Sequence, residues 1–112
     1  MIISAALYHV NADERGNNLK SLTDVYTLSN GVQIPCVGFG TWQIQNGSQA
    51  VVSVKAALEA GYRHIDTAEG YGNEESVGEA VMQSGVKRGD LFITSKLKNT
   101  EHGYDKTMKA FE

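Results

Sequence analysis

The sequence predicts an α/β fold, a partial (β/α)8 TIM barrel made of an N-terminal β-hairpin and the first two to three βα units. Strand-like runs open at Val37 (VGFGTW), His64 (HIDTAE) and Leu91 (LFITSKL), 27 residues apart twice over, and helical patterns fill both gaps. A strand–helix repeat of fixed short period means a parallel sheet joined by right-handed crossovers. An open doubly wound sheet and a closed barrel both satisfy that repeat. Eight units of this size plus a hairpin come to roughly 250 residues, the usual barrel length. A chain of 112 residues holds fewer than three such units. Its sheet would keep two unpaired edges and its helices would keep uncovered faces, so alone it is expected to be marginal or aggregation-prone.

The elements follow in order. Residues 1–24 are expected to form a disordered or loosely ordered extension, with residues 25–112 as the barrel portion. The stretch 11–24 (NADERGNNLKSLTD) is polar and has no periodicity. The apolar run at 2–10 is broken by Ser4 and His9 and preceded by Met1 alone. It lacks the cationic start of a secretory signal. Tyr26 and Leu28, then Val32 and Ile34, alternate with polar residues around Asn30-Gly31, a pair suited to a two-residue type I′ hairpin turn. Val51, Val54 and Leu58 recur at i, i+3, i+7, with Asn46 or Ser48 as candidate N-caps and Gly61 just past the helix end. Asn73 is placed to cap a second helix whose first turn carries Glu74 and Glu75, favourable against the positive end of the dipole. Val77 and Val81 mark its apolar face, and Gly85 ends it. A third helix is expected near Asp105, with Tyr104, Met108 and Phe111 on one side.

Composition bounds the function. Ten Lys+Arg against 13 Asp+Glu give a formal charge of −3. A phosphate-binding surface needs clustered cations, so neither nucleic acid nor a membrane is an expected partner. No run approaches the roughly 18–20 apolar residues of a membrane span. One cysteine, Cys36, makes no internal disulfide and is far short of a structural zinc site, which points to a reducing, cytoplasmic setting and no metal. Asn46-Gly47-Ser48 fits a glycosylation sequon, but without an export signal it is read as a chance match. Gly38-Phe39-Gly40 opens like a dinucleotide fingerprint, yet the third glycine position is Gln43 and no helix follows directly, so that reading is set aside.

Strand alternation sorts the side chains. In the third run Leu91, Ile93 and Leu97 share the helix-facing side, while Phe92, Thr94 and Lys96 share the other. In the second, Ile65 and Thr67 face the helices, so His64 and Asp66 point inward. Adjacent parallel strands lie about 4.8 Å apart, so Asp66 and Lys96 approach each other near the C-terminal strand ends, where barrel enzymes place their chemistry. A structural ion pair and a catalytic pair both fit this arrangement. Tyr71, five residues after Asp66, lies in the loop above the second strand, where packing or solvent exposure is the plainer role. A lysine beside a phenol favours phenolate, and an Asp–Lys–Tyr group is a plausible proton donor for a reacting oxygen. His64 reads as a satisfied core histidine and His102 as an exposed loop residue.

Gly40-Thr41-Trp42, the run 61–68 (GYRHIDTA), Tyr71-Gly72-Asn73-Glu74 and Thr94-Ser95-Lys96-Leu97 together resemble the aldo-keto reductase family, from about Tyr26 to the end of the chain. In general appearance the chain is similar to small bacterial 2,5-diketo-gluconate or methylglyoxal reductase-like members. The resemblance implies NADP(H)-dependent reduction of a small aldehyde or ketone by an enzyme that is monomeric at full length. By motif match, Tyr71 would protonate the carbonyl oxygen, Lys96 would lower the tyrosine's pKa and Asp66 would hold the lysine. Gly40, Thr41, Trp42 and Asp66 would lie by the cofactor, and Trp42 and Tyr71 by the substrate.

The family's fourth catalytic residue, a histidine ending the fourth strand, lies past this chain's last residue, as do the loops that hold the adenosine phosphate. The 112 residues alone are therefore expected to be inactive. Lys98 stands where many members carry tryptophan, so the resemblance leaves substrate preference open. Two alternatives remain at this level: a truncated non-catalytic remnant, and a partner subunit of the same fold.

Overall fold

The computed structural model describes residues 20–111; of the extension expected over residues 1–24, residues 1–19 lie outside them and residues 20–24 are ordered. Residues 20–24 form a turn closed by the Asp24 carboxylate, which accepts from the amides of Lys20 (2.5 Å) and Ser21 (3.2 Å) and from the Ser21 hydroxyl (2.9 Å). Strands β1 (Val25–Thr27) and β2 (Gln33–Pro35) pair antiparallel, with Tyr26 opposite Ile34.

The connection between them differs from the two-residue type I′ turn expected. Gly31 has φ 83°, but Gln43 is the one non-glycine residue with positive φ among those described, so Asn30 does not adopt the left-handed conformation that type I′ needs. The Leu28 amide donates to Val32 O (2.7 Å), the Gly31 amide to Leu28 O (2.9 Å), and the Asn30 side chain accepts from the Val32 amide (3.0 Å). This is a three-residue loop in which only the glycine turns left-handed.

Three further strands, β3 (Phe39–Gly40), β4 (His64–Asp66) and β5 (Phe92–Thr94), make a parallel sheet in that order. Their register aligns Phe39 with Ile65 and Ile93, and Gly40 with Asp66 and Thr94. Helices α1 (Ser48–Glu59) and α2 (Glu74–Ser84) supply the crossovers, and a shorter α3 (Tyr104–Ala110) follows β5. The core lies between one sheet face and the first two helices: Phe39, Ile65 and Leu91 from the sheet side meet Val51, Val54 and Leu58 of α1 and Val77 and Ala80 of α2. Full burial of a residue such as Leu58 or Ile65 contributes about 1.5–3 kcal/mol. The expected faces of α1 and α2 are therefore the packed ones, whereas Tyr104, Met108 and Phe111, expected on one side of the third helix, are exposed.

The start of α1 departs from expectation. Gly47, at φ 103°, is the N-cap of α1 rather than Asn46 or Ser48; its amide donates to Ser76 Oγ of α2 at 2.7 Å, and that hydroxyl donates to Asn46 Oδ1 at 2.5 Å. The start of α1 is thus tied to α2 instead of being capped locally. At the other end of α2, Gly85 closes the helix in the left-handed conformation, as its position suggested.

The sheet face opposite the helices carries His64, fully buried. Its Nδ1 lies 3.4 Å from Pro35 O and its Nε2 2.9 Å from Thr94 Oγ1, and the ring meets Phe92 edge-on. A carbonyl only accepts, so the proton belongs on Nδ1 and Nε2 accepts from the Thr94 hydroxyl. A Cβ at Gly38 would stand 3.0 Å from His64 Nδ1 and 3.1 Å from Cγ. A side chain there would press on a ring already held by Pro35, Thr94 and Phe92.

Gly38→Ala should therefore lower stability by about 1–3 kcal/mol through overpacking, while Gly78→Ala, in α2 with open space at its Cβ, should raise it by about 0.5–1 kcal/mol; denaturant midpoints of the intact protein check both signs. Burial first, and the Lys96 charge after it, push the His64 pKa below its ordinary value, against the pull of the Pro35 carbonyl and Asp66. With the native ring resisting a proton that the unfolded chain accepts near about pH 6.5, stability falls as pH drops through that value and levels off once the native ring is also protonated. Melting temperatures measured from about pH 8 to 5 should show this decline, and His64→Gln should shrink it.

Candidate active site

Beyond β4 the chain makes a 3₁₀ turn, Glu69–Tyr71, ended by Gly72 in the left-handed conformation at φ 67°. Backbone pairing continues past the strands proper: the Thr67 amide donates to Thr94 O (2.8 Å) and the Glu69 amide to Lys96 O (3.1 Å). These bonds carry the loops after β4 and β5 upward together, and they bring three of the expected residues into one group. Lys96 Nζ lies 2.5 Å from Asp66 Oδ1 and 3.0 Å from Thr67 O, and stands over the Tyr71 ring at 5.3 Å from its centroid. The contact between lysine and tyrosine is to the ring face, within cation–π range.

Exposure is unequal across the ion pair. The Asp66 side chain is 7% exposed and that of Lys96 44%. The carboxylate is thus desolvated and held, while the ammonium keeps a water-facing side, which limits the cost of burying the pair. The two loops are also laced by acids: Glu69 Oε2 accepts from the Lys98 amide (2.9 Å), and the Ser95 hydroxyl donates to Glu74 Oε1. Glu74, read from the sequence as a helix-dipole residue, thus also fixes the loop that carries Lys96.

The segment after β3 is organised around Asn73. This residue occupies the N-cap position of α2 but makes no capping bond. Its buried side chain points across the sheet end, where Nδ2 donates to Thr41 O (2.8 Å) and Ile44 O (3.0 Å), and Oδ1 accepts from Thr67 Oγ1 (3.0 Å) and Thr41 Oγ1 (3.3 Å). Thr41 is itself fully buried; its amide donates to Asp66 O, and its one hydroxyl proton is shared between that carbonyl and Asn73 Oδ1. Gly40 is buried beside Asp66 in the sheet. Trp42, by contrast, is 55% exposed on a turn closed by the Ile44 amide donating to Thr41 O (3.1 Å), in which Gln43 has φ 63°. Asn73 was legible in the sequence only as a cap, because its partners Thr41 and Ile44 lie 32 and 29 positions away. His102 is exposed in the loop before α3, and His64 lies below Asp66 on the same face.

A model of the Aldo/keto reductase family matches residues 36–111, more than half of the chain. The chain belongs to the aldo/keto reductase family. It is 52% identical over 92 residues to the glyoxal reductase of Bacillus subtilis (strain 168), covering 82% of this chain and 33% of that protein. It is 48% identical over 84 residues to the glycerol 2-dehydrogenase (NADP(+)) of Saccharomyces cerevisiae (strain ATCC 204508 / S288c), covering 75% of this chain and 27% of that one. The crystal structure of an aldo/keto reductase from Brucella melitensis matches it with a TM-score of 0.76 at 53% identity, covering 80% of this chain and 34% of that chain.

The chain thus spans about a third of the length of the relatives it matches. Its open α/β sheet corresponds to part of an aldo/keto reductase (β/α)8 barrel and is not itself a closed barrel. Among the described residues no helix is long and apolar enough to cross a membrane.

Removing Lys96 leaves Asp66 buried without its cation. Lys96→Met should cost about 1–3 kcal/mol, less than the 3–5 typical of a fully buried pair because the lysine is half in water. Asp66→Asn on the Lys96→Met background should recover part of the loss, as read by denaturant titration of the intact protein.

Proposed function

We propose that the intact protein is an NADP(H)-dependent oxidoreductase that reduces small aldehydes or ketones to alcohols. The observation that carries this reading is the joining of Asp66, Lys96 and Tyr71 at the C-terminal ends of β4 and β5, with Lys96 Nζ 2.5 Å from the carboxylate and over the tyrosine ring. An Asp–Lys pair alone is common as structure. One whose ammonium is half exposed and faces a phenol at this end of a parallel sheet is suited to delivering a proton.

In this reading Tyr71 gives its phenolic proton to the substrate's carbonyl oxygen. Lys96 stabilises the negative charge left on the phenol oxygen, and Asp66 keeps the lysine charged and in place. When bound, the reduced nicotinamide supplies the hydride. Its ring would rest against Gly40 and the exposed indole of Trp42, a flat apolar surface at the same strand ends. Thr41, buried and bonded inward, serves by fixing the turn rather than by touching a ligand. Trp42 and Tyr71 flank the substrate. The names of the relatives from Bacillus and Saccharomyces point to small, oxygen-rich substrates, and the second also to NADP.

Tyr71→Phe in the intact protein should reduce carbonyl turnover by about 10²-fold or more, the contribution of a positioned acid. NADPH binding, followed by nucleotide fluorescence, should be nearly unchanged. Unaltered turnover would remove Tyr71 from the role, and loss of nucleotide binding would recast it as structural.

A further inference from the structure

We propose that Asn73 is a positioning residue for the substrate pocket: its amide clamps the turn at 41–44 and so holds Trp42 in place beside the proton-donating group. The proposal rests on the carbonyl-reductase reading above. Three hydrogen-bonding positions of the side-chain amide are filled outright and the fourth is shared. Both Nδ2 hydrogens go to carbonyls that flank Trp42 and Gln43, those of Thr41 and Ile44, while Oδ1 accepts from the Thr67 hydroxyl and shares the single Thr41 hydroxyl proton with Asp66 O. The residue is fully buried.

The clamped turn is one that needs holding. Gln43 sits at φ 63°, a conformation that glycine adopts freely and residues with a Cβ resist. Apart from the clamp, the turn's cross-link is the single bond from the Ile44 amide to Thr41 O. Trp42 itself is largely exposed, so its own packing does little to fix it. Asn73 also lies two residues after Tyr71, directly beyond the left-handed Gly72. One side chain therefore joins the loop of the proton donor, the end of β4 through Thr67, and the turn bearing the pocket tryptophan. Setting these parts at fixed separation is what an orientation-dependent reaction requires.

The test is made on the intact protein with Asn73→Asp, which keeps the acceptor for the two hydroxyls and removes the donors to the two carbonyls. Emission and acrylamide quenching of Trp42, obtained by difference against Trp42→Phe, should show a freer indole. The KM for a small aldehyde should rise about tenfold or more, while the pH dependence of kcat should stay put. Adding Gln43→Gly should restore much of the lost affinity, because a turn without strain needs no clamp. Should the aspartate fail to fold, the neutral Asn73→Ser, too short to span both carbonyls, takes its place.

An unmoved Trp42 signal, or losses in KM and kcat alike that Gln43→Gly does not relieve, would overturn the proposal. An unsubstituted protein that reduces no carbonyl would overturn the functional reading instead. The Trp42 signal would still decide whether Asn73 is the clamp.

Discussion

Gly40, Asp66 and Thr94 stand in one row across three parallel strands, and much of the molecule depends on that register. A slip of one residue would turn every side chain to the opposite face. Ile65 would leave the core it shares with Val54 and Leu58, and Asp66 would enter it with no cation to meet. The register is held from both sides. On the helix side, apolar burial against α1 and α2 fixes which residues face inward. On the other, His64 bonds Thr94 and Asp66 bonds Lys96, each pairing the strand with its neighbour. The same alignment lets backbone bonds continue past the strand ends, so the loops that bear Tyr71 and Lys96 rise together.

The fold also leaves surfaces uncovered. Met82 on α2 is exposed, as are Tyr104, Met108 and Phe111 along α3. In a soluble protein such a row of large apolar side chains ordinarily packs against something. Closure of a barrel of the family's kind would cover both helix faces and the free edge of β5, which are the surfaces that remain bare when about a third of such a barrel stands alone. The bonds of the site group instead run among the segments that follow β3, β4 and β5 and the start of α2.

Much of this was legible in the sequence because it rests on local periodicity. Val51, Val54 and Leu58 reveal a helix face by spacing, and the alternation from His64 to Thr67 and from Leu91 to Lys96 assigns faces without any knowledge of contacts. That brought Asp66 and Lys96 together correctly. Tyr71 was placed less firmly, since a loop residue obeys no period; its position depends on Gly72 turning left-handed and on Glu69 pairing with Lys96 O. Where a polar side chain had a local and a distant use, the local one was read and the distant one occurs. Asn73 looks like a cap but bonds across to Thr41 and Ile44. Asn46 looks like a cap but receives the Ser76 hydroxyl. The hairpin's Asn30 departs otherwise, by a local bond to the Val32 amide in a loop one residue longer than expected. Capping propensity is worth about 1 kcal/mol, and a buried amide that satisfies four partners outweighs it.

The face that carries the site is graded along the strands. At its lower end His64 is enclosed by Pro35, Gly38, Phe92 and Thr94, and burial favours its neutral form. Two residues further along β4, Asp66 is almost as buried but charged, paired with an ammonium that reaches water. A proton on His64 would set a second cation below the same carboxylate and weaken its hold on Lys96. The tight packing of Gly38 on the imidazole, which keeps that ring dry, therefore keeps a second cation from beneath the carboxylate. Lys96 is left as the cation that Asp66 has to hold, and it is the one that faces the tyrosine.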